Sequence, residues 1–315
     1  MSRSEFVLAL AGGVGGAKLA AGLAEVLPPE ALTLVVNTGD DFRLHGLHIS
    51  PDLDSVMYAL AGLHDPVRGW GLAGESWAFM QAFRRLGGED WFQLGDQDLA
   101  THLLRTQLLH DVSLTEVTAT LCARLGLRHR IVPMTDDPVG TRVLTDEGLL
   151  QFQDYFVRRR AQPVLRRVMF DGVESARPSA GLIAALQHPQ LSAILICPSN
   201  PVLSIAPILA LPGVRAQLQD RRVPVVAVSP IIGSRAVKGP AAKILGELAL
   251  PVSALGIAHY YDGLLDGLLI DSSDEALCTS IRGPRIRTAP ILMHELADKR
   301  ALALTVLDFA RELHR

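Results

Sequence analysis

The chain has 315 residues, 49% of them apolar and 20% charged, enough to bury a large core and too apolar for a disordered segment. A formal net charge of −3 and a pI near 6.4 exclude a nucleic-acid binder that relies on bulk positive charge. Three widely spaced cysteines, Cys122, Cys197 and Cys278, make neither a disulfide framework nor a zinc pattern, which fits thiols that fill core space in a reducing, cytoplasmic setting.

The first element is a strand over residues 6–10. It runs into Gly12-Gly13-Val14-Gly15-Gly16, and an Ala/Leu-rich helical pattern follows over residues 17–27. Strand, glycine turn and helix start together make an anion cradle, because backbone N–H groups at a helix N-terminus attract negative charge. Four glycines in five positions are more than a plain turn requires. The P-loop pattern fails here, since Lys18 is preceded by Ala17 and followed by Leu19. The dinucleotide pattern from Gly13 fails too, because Lys18 stands where its last glycine belongs. Lys18 is either a solvated helix residue or a phosphate contact. Arg3 and the apolar run after it imitate a signal peptide, but the glycines and Lys18 interrupt the apolar region such a signal needs.

A second strand, Leu32–Val36, leads into NTGDDFRLHGLHISPDLDSV. Within this stretch Ser50, Pro51 and Asp52 read as a helix start, with Ser50 as N-cap, Pro51 in the first position, and Asp52 and Asp54 favouring the dipole. A partly exposed Asp54 there contributes about 1 kcal/mol. The same acids, with the pairs Asp40-Asp41 and Asp136-Asp137, also suit magnesium, which takes one or two carboxylates and completes its shell with phosphate oxygens and water. His45 and His48 lack further ligands nearby and read as polar loop residues.

Residues 65–125 look mostly helical and hold Trp70, Trp77 and Trp91; residues 130–170 read as short strands, at Arg130–Pro133 and 141–144. A helical pattern surrounds residues 179–186, strands follow at 193–197 before PSNP and at 224–228 before SPIIG, and an amphipathic helix covers residues 294–314. The uncharged stretch 191–214 is broken by Pro198, Pro201, Pro207 and Pro212, whereas a membrane span needs about 20 apolar residues in a row. Continuous apolar strands alternating with helices predict an α/β fold, a Rossmann-like, mostly parallel sheet with a largely helical insertion. Its core falls in residues 1–64 and 176–290, with residues 65–175 inserted, all in one unit. Ligands of such sheets gather at the carboxyl ends of the strands, where the four polar turns should converge.

The blocks AGGVGGAKL, VVNTGDD, HISPDLDSVMYAL, LGDQDLATHL, RIVPMTDDPVGT, FQDYFV, PSNPVLSIAPIL and VSPIIGSRAVKGPAAK, in that order, resemble the 2-phospho-L-lactate transferase family (CofD, or FbiA in actinobacteria). The resemblance runs over residues 6–265 and loosens into the last helix. It implies transfer of a phospho-acid from a guanosine diphosphate conjugate to the deazaflavin FO, with release of GMP, in coenzyme F420 biosynthesis. It also implies magnesium and a homodimer. Under it Gly12, Gly13, Gly15 and Gly16 hold the diphosphate, with Lys18 beside them. Asp54 sits by FO and its hydroxyl, with Asp52 as second candidate; Asp54 and Asp40 serve the metal; Asn37 and Asp40 reach metal or ribose; Ser199 and Asn200 meet the nucleotide. One departure stands out: the family's usual LGDRD reads LGDQD here, so Gln97 replaces an arginine and leaves the donor acid open among phospholactate, phosphoenolpyruvate and phosphoglycerate. Arg105, or Arg158-Arg159-Arg160 with Arg166-Arg167, is placed to compensate, unless that cluster is a solvated edge. Two other classes compete, a nucleotide-sugar-binding regulator related to CofD and a nicotinamide dehydrogenase; the first is not expected to keep SPDLD and LGDxD together, and the second lacks its fingerprint.

Overall fold

Runs of Val, Leu, Ile and Ala without polar interruption make strands that can be buried on both faces. In the computed structural model, which describes residues 5–237 and 239–314, seven strands form one sheet, the inner ones mostly such runs and the edge strand Arg285–Ala289 more polar and less buried. Arg3, and Lys238 in the last motif block, lie outside the described residues. The strands are β1 (Phe6–Ala11), β2 (Leu32–Val36), β3 (Arg130–Pro133), β4 (Leu191–Ile196), β5 (Val225–Val228), β6 (Gly267–Asp271) and β7 (Arg285–Ala289). Their spatial order is β7-β6-β5-β4-β1-β2-β3, and every pairing is parallel. The α/β expectation holds. The chain winds one way from β1 through β2 and β3 and the other way from β4 onward, so the order reverses between β1 and β4, where doubly wound sheets open a ligand crevice.

Side chains alternate across β1. Val7, Ala9 and Ala11 enter one core with Leu19, Leu23, Leu302 and Val306, whereas Leu8 and Leu10 enter the other with Ile194, Ile208 and Leu268. The first core joins helix Gly13–Val26 to the closing helix Leu296–Leu313.

Two local expectations change. Arg130–Pro133, expected inside the insertion, is the edge strand of the main sheet, in register with β2 from Thr33↔Arg130 to Val36↔Pro133. Its Ile131 and Val132 enter opposite cores, a two-sided burial that four residues are too few to announce. The helices Ala78–Arg85, Asp96–Leu108 and Leu114–Arg124 precede it, and a three-stranded antiparallel sheet of Gly148–Gln151, Gly140–Thr145 and Leu165–Asp171 follows. The first helix also begins earlier than residue 17, at Gly13, so the glycines form its opening turn. The uncharged stretch after β4 becomes the turn Pro201–Ile205 and helix Ala206–Ala210. Among the described residues no helix is long and apolar enough to cross a membrane.

Candidate active site

The crevice between β1 and β4 is bridged directly. Gly12 N donates to Ser199 Oγ at 3.1 Å, and Gly13 N donates to Asp52 Oδ1 at 2.7 Å. A Cβ on Gly12 would strike Asp52, one on Gly15 the Pro198 carbonyl oxygen, and one on Gly16 the Ser199 hydroxyl. Gly13 adds a φ of +62°. The glycines are therefore required, in the first place, by two chain segments, one at Asp52 and one at Pro198-Ser199, packing against one turn. Two of the turn's N–H groups, those of Gly12 and Gly13, already have protein partners.

Asn37 ends β2 with a fully buried side chain. Its Nδ2 donates to Asp52 Oδ2 at 2.9 Å, and its Oδ1 accepts from Gly39 N at 2.8 Å. It stands behind the site and fixes Asp52. The helix Pro51–Leu60 starts at Pro51 with Ser50 in the N-cap position, as the sequence suggests, but the Ser50 side chain makes no capping bond; its hydroxyl donates to Asp41 Oδ2 at 2.7 Å, and His48 Nε2 lies 3.1 Å from the same oxygen. Burial, then the charge of Asp52, drives the Asp40 carboxyl well above the ordinary range. Burial raises Asp41 and pushes Asp52 up to about 6.

Asp54 is 5% exposed, not the partly exposed helix-start residue expected. Arg105, 1% exposed, grips both its oxygens: Nη1 donates to Oδ2 at 3.1 Å and Nη2 to Oδ1. Burial alone would lower the Arg105 pKa, but Asp54 more than reverses this and raises it. Asp98 accepts from Tyr58 Oη at 2.7 Å. Burial pushes the Asp98 carboxyl up, and His102, Tyr58 and Arg105 together outweigh it to leave the pKa low.

These residues surround one cavity of about 590 Å³. Gly12, Gly13, Gly15, Lys18, Asp40, Asp52, Asp54, Ser199 and Asn200 line it, as do Trp70, Trp91, Phe92, Phe152 and Phe156. Lys18 Nζ donates to Met293 O at 2.6 Å. The Asn200 side-chain carbonyl caps the turn after β4, accepting from Val202 N and Leu203 N, while its Nδ2 has no partner among the described residues. Gly16 and Asn37 support the site from outside the lining. Gln97 is exposed and turned away, with Nε2 donating to Gly74 O at 3.0 Å. Asp136 and Asp137 also lie outside, holding the N-terminus of helix Leu114–Arg124 and Arg177 N respectively.

The family model of 2-phospho-L-lactate transferase CofD matches residues 7–299. The chain belongs to the CofD family. It is 40% identical to a phosphoenolpyruvate transferase of Streptomyces coelicolor, over 98% of each chain. With a 2-phospho-L-lactate transferase of Methanosarcina mazei it shares 42%, over 93% of this chain and 98% of that one. A crystal structure of a UPF0052 family protein from Bacillus halodurans, 15% identical, shares the fold with a TM-score of 0.63 over 98% of this chain and 99% of that one.

This CofD-family chain is thus a phospho-acid transferase. Its cavity also holds residues that reading the motifs missed. His102 follows Asp98 by four positions and precedes Arg105 by three, so one face of helix Asp96–Leu108 carries all three; that spacing was the available signal. The aromatic lining gave none, because its members come from separate segments between residues 70 and 156.

Proposed function

We propose that the chain transfers a three-carbon phospho-acid from its guanosine diphosphate conjugate to the ribityl hydroxyl of FO, releasing GMP, in coenzyme F420 biosynthesis. The observation that carries this reading is the single cavity, which unites a helix N-terminus, buried acids and an aromatic wall. Relatives named for phosphoenolpyruvate and for 2-phospho-L-lactate transfer are almost equally similar, so either acid, or phosphoglycerate, is a donor to test.

In this mechanism the hydroxyl oxygen bonds to the phosphorus bearing the acid. The bond from that phosphorus to the bridging oxygen breaks, and GMP leaves with the electron pair. Such transfer depends on positioning and charge neutralisation more than on covalent help. The first turn of helix Gly13–Val26 and Lys18 hold the diphosphate, and Asn200 Nδ2, which has no partner among the described residues, meets the nucleotide with Ser199 beside it. Asp54, oriented by Arg105, accepts the hydrogen bond of the attacking hydroxyl and then its proton. The planar deazaflavin stacks on the aromatic wall.

Magnesium fits the acids on one side of the cavity. Asp40 and Asp52 are buried together with raised carboxyl pKa values, the condition a divalent cation relieves, and they offer the oxygen ligands it prefers. They would hold the ion, because their partners are neutral donors, whereas Asp54 of the expected pair is already neutralised by the buried Arg105 cation. When bound, magnesium neutralises charge on the diphosphate. The reading further places the enzyme in the cytoplasm as a homodimer, with neither nucleic acid nor membrane as partner. The test supplies FO and magnesium with each of the three guanosine-linked acids and measures GMP; no release with any of them refutes it.

A further inference from the structure

Asp54, Asp98 and His102 have the residue types and proximity of a metal centre. One possible ligand atom from each lies within 4.8 Å of the others. His102 is 2% exposed, and its Nε2 makes no hydrogen bond among the described residues. A transition ion would favour such a mixed nitrogen and oxygen set.

A cation is already there. The Arg105 guanidinium makes two parallel bonds to Asp54, and its Nη1 lies 3.2 Å from His102 Nδ1. That nitrogen also lies 3.6 Å from Asp54 Oδ2, and Nε2 points toward Asp98 Oδ1 at 3.4 Å, so the ring sits between the two carboxylates beside the guanidinium. Arginine stays charged at every working pH. A divalent ion in the same cluster would be repelled by that fixed charge twice as strongly as a monovalent one. Arg105 itself is absent from the cavity lining, whereas Asp54, Asp98 and His102 belong to it. The cation therefore stands behind the acids and presents them to the ligand.

We propose that Arg105 is a positioning residue whose guanidinium is the resident cation of the Asp54–Asp98–His102 cluster, fixing the Asp54 carboxylate at the cavity wall and keeping divalent metal out. Asp54's role rests on the transferase reading above; the occupancy of the cluster does not. An imidazole-bound metal is excluded from the cluster while Arg105 is present, and the divalent ion is left to Asp40 and Asp52.

The test titrates Co2+ into the protein and follows its visible absorption, which changes when an imidazole joins the coordination shell. For the unaltered chain and His102→Ala the spectra should be the same. Arg105→Met should gain a Co2+ site at least tenfold tighter than any in the unaltered chain, and Arg105→Met with His102→Ala should lose it again. A Co2+ spectrum in the unaltered chain that His102→Ala abolishes overturns the proposal. Should Arg105→Met fail to fold, Arg105→Lys keeps a point charge without the two-pronged grip. It should retain the original Co2+ behaviour while kcat falls about 100-fold and donor KM stays within about twofold; an unchanged kcat overturns the positioning role. If the unaltered chain releases no GMP, the transferase reading fails by itself, and the cobalt titration still decides what occupies the cluster.

Discussion

Asp52 accepts a hydrogen bond from Gly13 N at 2.7 Å, so a carboxylate from the second helix caps the first turn of the first. The glycine turn and the acidic loop are one construction.

That carboxyl makes stability depend on pH. Its folded pKa of about 6 lies above the ordinary 3.8, chiefly through burial. The neutral form is therefore favoured on folding, and the associated stability is fully present below pH 4 and lost as pH rises through 6. The size is about 3 kcal/mol for the apo protein. Thermal unfolding between pH 4 and 7 without divalent ions should show this fall, and magnesium should raise the midpoint more at pH 7 than at pH 5. A magnesium effect that is equal at both would contradict the assignment to Asp40 and Asp52.

Asp54→Asn should abolish GMP release, but not at the small stability cost the sequence suggests. It leaves the Arg105 charge buried without its partner, which costs about 3–5 kcal/mol. Asp54→Leu combined with Arg105→Met should recover most of that stability and none of the activity. Denaturant midpoints read beside GMP release separate the two effects. Transfer by Asp54→Asn at the normal rate would remove the residue from the chemistry.

Gly15→Val would drive its side chain into the Pro198 carbonyl oxygen. Overpacking of this kind costs about 1–3 kcal/mol, and the turn should shift enough to weaken GDP binding. Calorimetric titration checks it; unchanged GDP affinity would separate the turn from the phosphate.

Gln97→Arg should leave the preference among the three donor acids within about twofold of the original, as for surface substitutions generally. The residue is exposed and bonded to Gly74 O. Comparing kcat/KM for the three donors decides it, and a switch of donor would show that position 97 reaches the ligand.

Trp91→Ala should raise the KM for FO by about fivefold to 150-fold, since stacking on an aromatic side chain is worth about 1–3 kcal/mol per base-sized ring. GDP affinity should be retained. FO fluorescence measured on binding to both forms provides the check.

Much of this architecture is written locally. The strand and glycine turn at the start, the second strand with its acids, and the PSNP turn each occupy a short contiguous segment, and the doubly wound order brings them to one crevice. The Asp54–Arg105 pair is separated by 51 residues, and nothing near either residue signals the other. Gln97 drew attention as a departure within a motif, yet its neighbour Asp98 faces the cavity while Gln97 lies about 100° around the same helix. The glycines were legible as special, but their reason was not: the contacts that forbid a side chain come from Asp52, Pro198 and Ser199. β3 hid because its pairing partner, not its four residues, makes it a core strand.

Lys18 is held by the carbonyl of Met293, 275 positions later, and Ile291 and Met293 form part of the cavity wall. During synthesis the glycine turn leaves the ribosome long before this closing wall exists. A growing chain thus carries the start of a binding site it cannot complete, and substrate can reward only polypeptides translated past that point.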